Sequence, residues 1–184
     1  QILTSGNLSA TSNFGAVDLS YFDNIVGGTV ALNAAGNASF VNSVDTTLVN
    51  SSVGGSLSVI TNDDSQSFGG HSAIAIGGTL TVAGDTSLHA SGDITNFNSD
   101  DSLTTSGLSL LSDNGIIGSD GAIRLNGYMG GPVVIRDIET IGADVSLYST
   151  SAVSVAGLGE GNAVQLEGGI FSLYALVRRY AKWV

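Results

Sequence analysis

Two pairs of adjacent carboxylates are the residues of this sequence best suited to chemistry. They are Asp63-Asp64 and Asp100-Asp101, and they lie in the polar stretches "TNDDSQS" and "NSDDSL". Carboxylate oxygens bind calcium, and two carboxyl groups at a fixed separation can hydrolyse a glycosidic bond. Aspartate is also frequent in turns, because its side chain hydrogen-bonds to nearby backbone. The turn interpretation is favoured, since "GGHSAIAIGG" does not fit the tandem calcium repeat "GGxGxDxUx".

Histidine, cysteine and serine add no second catalytic pattern. His71 and His89 lie in separate runs without a neighbouring Glu or second His, the chain has no Cys, and no "GxSxG" motif occurs. A lyase acting on acidic sugars needs a basic residue, yet the first one in the chain is Arg124. The adjacent Arg136 and Asp137 are interpreted as a local surface pair. We therefore expect no enzymatic activity and no cofactor, and no metal site beyond the four aspartates as calcium candidates.

The composition is typical of a β-rich domain with an acidic body. The chain has 184 residues, of which 42% are hydrophobic and 11% charged, with 26 Gly and one Pro. Glu, Lys, Arg and Gln, which favour helices, are scarce. The formal net charge of −11 is uneven, because no Lys or Arg precedes Arg124. An acidic body argues against binding to nucleic acid or to anionic membrane surfaces.

One short phrase recurs along the chain. An aliphatic residue precedes two glycines, a small polar residue and an apolar–polar–apolar run, as in "VGGTVALNA" (26–34), "VGGSLSVIT" (53–61) and "IGGTLTVAG" (76–84). Two apolar residues separated by one other residue lie on the same face of a strand. The predicted inward pairs are Val30/Leu32, Leu57/Val59, Leu80/Val82, Leu108/Leu110, Ile123/Leu125, Val133/Ile135, Val145/Leu147 and Phe171/Leu173.

The spacing of this phrase predicts a β-solenoid. Its first apolar residue moves from Val30 to Leu57, Leu80 and Leu108, and later from Ile123 to Val145 and Phe171. A new copy therefore begins about every 22 to 28 residues. Short strands with one apolar face bury that face by stacking coil on coil, and glycines at the corners supply tight bends and positive φ angles. We expect an all-β fold, a right-handed parallel β-helix of about seven coils that a C-terminal cap can close. A β-sandwich has similar strands but does not require a repeated phrase.

The repeats resemble those of filamentous-haemagglutinin-type adhesins, the exoproteins of bacterial two-partner secretion. The resemblance is carried by "NFGAVDLS", "VGGSLSV", "IGGTLTVAGDTSLHASGDITN" and "NGIIGSDGAIRLNG", and covers roughly residues 12–170. It implies a right-handed parallel β-helix, export to the cell surface or medium, and a role in attachment, biofilm formation or a surface filament. The "NPNG"-type motif of the family's secretion module is absent, so the resemblance implies a segment of the rod or a small relative built from rod alone.

The C-terminal segment, residues 171–184, departs from the style of the repeat domain, residues 1–170. It holds three of the five basic residues and the only Trp. Its apolar residues fit both a short helix and a last strand, and both interpretations stay open. The segment is either an end cap or an assembly surface that docks on the acidic body of another copy. The residues of the assembly contact are Phe171, Tyr174, Arg178, Arg179, Tyr180, Lys182 and Trp183.

The sequence therefore predicts a structural, extracellular β-solenoid, part of a bacterial surface adhesin or of a self-assembling filament. The alternative is a β-helix enzyme, a lyase or hydrolase acting on polysaccharides. The expected partners are other copies of the chain or further coils of the same polypeptide, together with host or matrix carbohydrate or protein. Nucleic acid is not an expected partner, and insertion into a membrane is not expected.

Overall fold

Short parallel strands make up nearly all of the regular structure. The computed structural model describes residues 1–62, 70–118, 121–156, 165–166 and 169–175. The strands are β1 (Leu3–Thr4), β2 (Leu8–Ser12), β3 (Val17–Val26), β4 (Thr29–Ala34), β5 (Ala38–Asn42), β6 (Thr46–Leu48), β7 (Ser52–Val53), β8 (Leu57–Thr61), β9 (Ile74–Ile76), β10 (Thr79–Val82), β11 (Asp85–Ala90), β12 (Ile94–Asn96), β13 (Ser102–Thr105), β14 (Gly107–Ser112), β15 (Ile123–Gly127), β16 (Val133–Thr140), β17 (Val145–Ser149), β18 (Val153–Val155), β19 (Gln165–Leu166) and β20 (Phe171–Ala175). One turn of 3₁₀-helix, Tyr128–Gly130, separates β15 from β16. The predicted all-β parallel solenoid of about seven turns is confirmed.

The strands form two sheets that run along the solenoid. One sheet has the order β1-β3-β5-β8-β11-β14-β16-β18, with β19 also paired to β16, and we call it the second ladder. The other sheet contains the first ladder, β2-β4-β7-β10-β13-β15-β17-β20. A side branch, β6-β9-β12, leaves this sheet at β4 and returns to β17 through bridges at Ile117. The two ladders and the branch bring equivalent residues of successive coils into register.

An aliphatic core fills the space between the ladders. Seven of the eight predicted pairs are fully buried, from Val30 and Leu32 to Val145 and Leu147, each at most 1% exposed. Phe171 and Leu173, the eighth pair, are partly buried and pack against this core. Each coil thus buries an apolar face that a single strand cannot bury alone, which is the basis of solenoid stability.

The repeated phrase occurs on both ladders, which corrects the predicted period. Val30 and Leu80 lie on the first ladder, whereas Leu57 and Leu108 lie on the second, so these four residues do not mark successive coils. The coil length varies instead. Ser56 N–H bonds to Asn37 nineteen residues earlier, and the next coil at this corner is 29 residues long. Corner loops of different length account for the variation.

Glycine is needed at the corners chiefly for close approach between coils. A Cβ atom on Gly55 would lie 2.9 Å from the backbone nitrogen of Asn37. It would also collide with the side-chain oxygen of Asn37, which accepts a hydrogen bond from Ser56 N–H at 2.9 Å. A Cβ atom on Gly28 would also collide with the backbone of the preceding coil. In the Gly-Gly pairs of the three phrases quoted above, the predicted positive φ is found only at Gly78, with φ 142°. The other glycines of these pairs adopt angles that any residue can adopt.

A column of buried polar side chains follows one edge of the second ladder. Asn24 and Asn42 are register partners, and Asn42 is followed in the next coil by Thr61. Asn42 Oδ1 accepts a hydrogen bond from Val26 N–H at 2.9 Å, and its Nδ2 donates to Thr46 Oγ1 at 3.0 Å. The backbone bends at this corner, so its N–H and carbonyl groups cannot all bond to a neighbouring strand. The buried side chains supply the missing hydrogen-bond partners.

Candidate functional site

Of the four aspartates considered as calcium ligands, the structure describes Asp100 and Asp101. Asp100 is exposed, whereas Asp101 is 7% exposed. Its Oδ2 accepts a hydrogen bond from Asn98 N–H at 2.6 Å, so Asp101 closes the turn that leads into β13. Asp63 and Asp64 lie outside the described residues. Within the described residues, no group of three or more His, Asp or Glu is placed to hold a metal ion.

His89 is paired with a carboxylate of the next coil. Its Nε2 lies 3.0 Å from Oδ2 and 3.1 Å from Oδ1 of Asp113. Both side chains are partly exposed. The sequence places no Glu or second His near His89, and the structure gives this histidine a contact that joins two coils. In the part of the chain that the structure describes, no serine hydroxyl is hydrogen-bonded to this histidine.

Arg136 does not pair with its sequence neighbour Asp137, which corrects the interpretation of these residues as a local surface pair. The register between β14 and β16 shifts after Leu108, and Arg136 is the extra residue of the resulting β-bulge. Its Nε lies 2.7 Å from Oδ2 of Asp85, and a second guanidinium nitrogen donates to Oδ1 at 3.0 Å. The bulge thus directs Arg136 across Gly107 to a carboxylate two coils away.

Asp18 is held as a carboxylate at the surface of the first coils. Ser20 Oγ donates to its Oδ1 at 2.7 Å, Ser20 N–H at 3.1 Å and Ser39 Oγ at 2.8 Å. These hydrogen bonds, that of the Ser20 side chain first, lower the pKa of Asp18. They favour the charged form, so their contribution is present above the ordinary pKa and is lost as pH falls through the lowered value.

The predicted assembly segment is described only at its beginning. Phe171 and Tyr174 lie on β20, which pairs in parallel with β17, so residues 171–175 form a strand. Tyr174 is 62% exposed. The remaining residues of the predicted contact, Arg178, Arg179, Tyr180, Lys182 and Trp183, lie outside the described residues.

A groove that no sequence pattern predicts lies where the side branch and the first ladder come together. Its volume is about 370 Å³, and it is lined by Asn96, Phe97, Asn98, Ser99, Gly121, Ala122, Arg124 and Tyr148. The Arg124 guanidinium lies over the Tyr148 ring, 5.5 Å from its centre. Phe97 is 70% exposed. The sequence signals were the first basic residue of the chain and two of its few aromatics, but nothing in the sequence places them together.

Comparison with known proteins adds no functional assignment. No protein-family model, no curated protein and no solved structure matches this chain. Among the described residues, no helix is long and apolar enough to cross a membrane.

Proposed function

We propose that the chain is a structural extracellular β-solenoid, part of a bacterial surface adhesin or of a self-assembling filament, and that it mediates attachment or biofilm formation without enzymatic activity. The continuous first ladder, eight parallel strands from β2 to β20, is the observation that carries this proposal. A continuous ladder over an aliphatic core makes a stiff body whose outward side chains are free to form binding surfaces.

The first coil supports assembly with further coils. No described strand pairs with the outer edge of β1 or β2. Ile2, Leu8 and Leu19 pack against the end of the core but remain only partly buried. An open strand edge beside partly covered apolar residues is a template for pairing with another parallel coil. That coil belongs to a second copy or to the same polypeptide.

The proposal is tested with beads that carry the purified chain, offered to a layer of bacterial matrix polysaccharide and to a layer of epithelial cells. Leu80→Asp places a charge in the core, where Leu80 is fully buried, and prevents the coils from closing. Thr81→Asp adds the same charge to the outward face of the same strand and is the matched control. We expect adhesion of beads with the native chain and with Thr81→Asp, and loss of adhesion with Leu80→Asp.

The enzyme alternative is tested with the same protein. Neutral and acidic polysaccharides are incubated with the native chain, and reducing ends and unsaturated sugars are measured. We expect no product above that of the Leu80→Asp protein. Product formed by the native chain alone, or equal adhesion of native and Leu80→Asp beads, would overturn the proposed function.

A further inference from the structure

The groove beside Arg124 is produced by the branching of the sheet. Ile94, Ile117 and Val145 follow one another along the side branch, while Leu103 and Leu125 lie on the first ladder. In the coil of β17 a single strand carries both positions, whereas in the coil of β12 the loop 97–101 separates them. The loop stands out at this corner and forms one wall of the groove. The volume of the groove, about 370 Å³, falls within the usual range of small-molecule sites.

The groove presents an arginine that no described acidic residue neutralises. Arg124 is exposed, and among the described residues it has no carboxylate within salt-bridge distance, whereas Arg136 is held by Asp85 at 2.7 Å. The guanidinium of Arg124 is oriented by the ring of Tyr148 in the next coil. Stacking leaves the edge of the guanidinium free, and that edge carries the paired donors that match a carboxylate.

Two aromatic side chains of the lining offer flat apolar surface. Phe97 is 70% exposed on the loop, and Tyr148 is half-buried on β17. Tyr174 continues the outward row from Arg124 and Tyr148 in the following coil. A large exposed aromatic next to a groove loses water when a flat partner covers it, and pyranose rings have such a face.

The Asn96 side chain is held in a fixed orientation in the same lining. Its Nδ2 donates to the carbonyl groups of Asp101 and Ala122 at 3.4 and 3.3 Å, which fixes the amide. Its Oδ1 is shielded from water and has no donor among the residues that the structure describes. Asn96 is thus a fixed part of the lining, and its shielded oxygen does not contact a ligand in the groove.

We propose that this groove binds an acidic saccharide: Arg124 pairs with the carboxylate of a uronic acid, and Phe97 and Tyr148 cover ring faces. A neutral saccharide or an apolar peptide leaves Arg124 unpaired. The inference rests on the proposed function, because it names the class of ligand that an attachment surface of this solenoid takes.

The test is calorimetric titration of the full chain with tri-galacturonic acid and with its fully methyl-esterified form. We expect weak binding of the acid and at least about tenfold weaker binding of the ester, which has the same rings without charge. Arg124→Gln should weaken binding of the acid about tenfold or more, and Phe97→Ala should weaken both ligands. Arg136→Gln removes the same charge outside the groove and should change the affinity less than about twofold. The thermal midpoint of each variant shows that the chain is folded.

Equal affinity of the native chain and Arg124→Gln, equal affinity for acid and ester, or no heat of binding at millimolar acid would overturn the inference. Its failure is distinguishable from failure of the proposed function. Adhesion of beads without binding of the acid rejects this ligand and leaves the adhesive role. Binding of the acid without adhesion of beads rejects the adhesive role and supports the groove.

Discussion

Asn42 satisfies backbone groups that no strand of the ladder can reach. The side chain is fully buried and bonds to both the N–H and the carbonyl of Val26. In Asn42→Ala, the Val26 N–H stays buried without its partner, which costs about 1–3 kcal/mol. We therefore expect Asn42→Ala to lower the free energy of unfolding by about that amount, measured by urea denaturation followed by circular dichroism.

Asn33→Ala is the matched control for this prediction. Asn33 also accepts a hydrogen bond from the next coil, from Ser52 N–H at 3.2 Å, but at an exposed site. Water replaces the lost partner there, so the expected loss is less than about 1 kcal/mol. Equal losses for the two variants would show that burial of the amide at Asn42 contributes nothing beyond the hydrogen bond.

At the scale of the element, the corner between β7 and β8 depends on the close approach of two coils. A Cβ atom on Gly55 would lie 2.9 Å from both Asn37 N and the carbonyl carbon of Gly36, and neither backbone atom can move alone. Gly55→Ala should therefore strain the corner and lower the thermal midpoint, with a loss of stability of about 1–3 kcal/mol. Scanning calorimetry of the purified variant measures it.

Gly70→Ala separates this effect from a general effect of alanine. Among the described residues, no atom lies within 4 Å of the position that a Cβ on Gly70 would take, and Gly70 has no positive φ. Alanine at such a site stiffens the unfolded chain, and we expect a midpoint that is unchanged or slightly higher. If Gly55→Ala were as stable as Gly70→Ala, the close approach of the coils would not be what selects glycine at the corner.

The strands were predictable because alternation is a local pattern, whereas their order in the sheets was not. Leu80 and Val82 are two residues apart, and this spacing alone places both in the core. Val30 and Leu57 follow the same phrase, yet they lie on different ladders. The phrase predicts a tight corner followed by a strand whose apolar side chains point inward. A coil contains more than one such corner. The ladder to which a strand belongs depends on loop lengths, which differ from coil to coil.

For the whole molecule, the same property explains why the groove could not be predicted. Phe97 and Arg124 lie in different coils, and Tyr148 in a third. Their proximity depends on the register of three coils and on the loop that separates β12 from β13. The partner of Arg136 could not be predicted for the same reason, because a β-bulge brings Arg136 to Asp85 rather than to Asp137. Contacts between coils require the register, and the sequence repeat defines it only loosely.

The uneven distribution of charge over the whole chain leads to the last prediction, on assembly. Residues 1–123 contain no Lys or Arg, whereas Arg178, Arg179 and Lys182 lie close together near the end of the sequence. If this segment docks on the acidic body of another copy, self-association should rise with protein concentration and fall with salt, since screening at 0.1 M acts over about 10 Å. Sedimentation velocity at low and high salt measures both dependences.

A truncation after Ala175 removes this basic segment and keeps β20, which pairs with β17. We expect the truncated chain to sediment as a monomer at concentrations where the full chain associates, and the triple variant Arg178→Gln, Arg179→Gln, Lys182→Gln to resemble it. The control Arg124→Gln, Arg136→Gln removes basic charge elsewhere and should still associate. Association of the truncated chain equal to that of the full chain would place the assembly contact on the strand edges instead, because the open edges of β1 and β2 remain in both proteins.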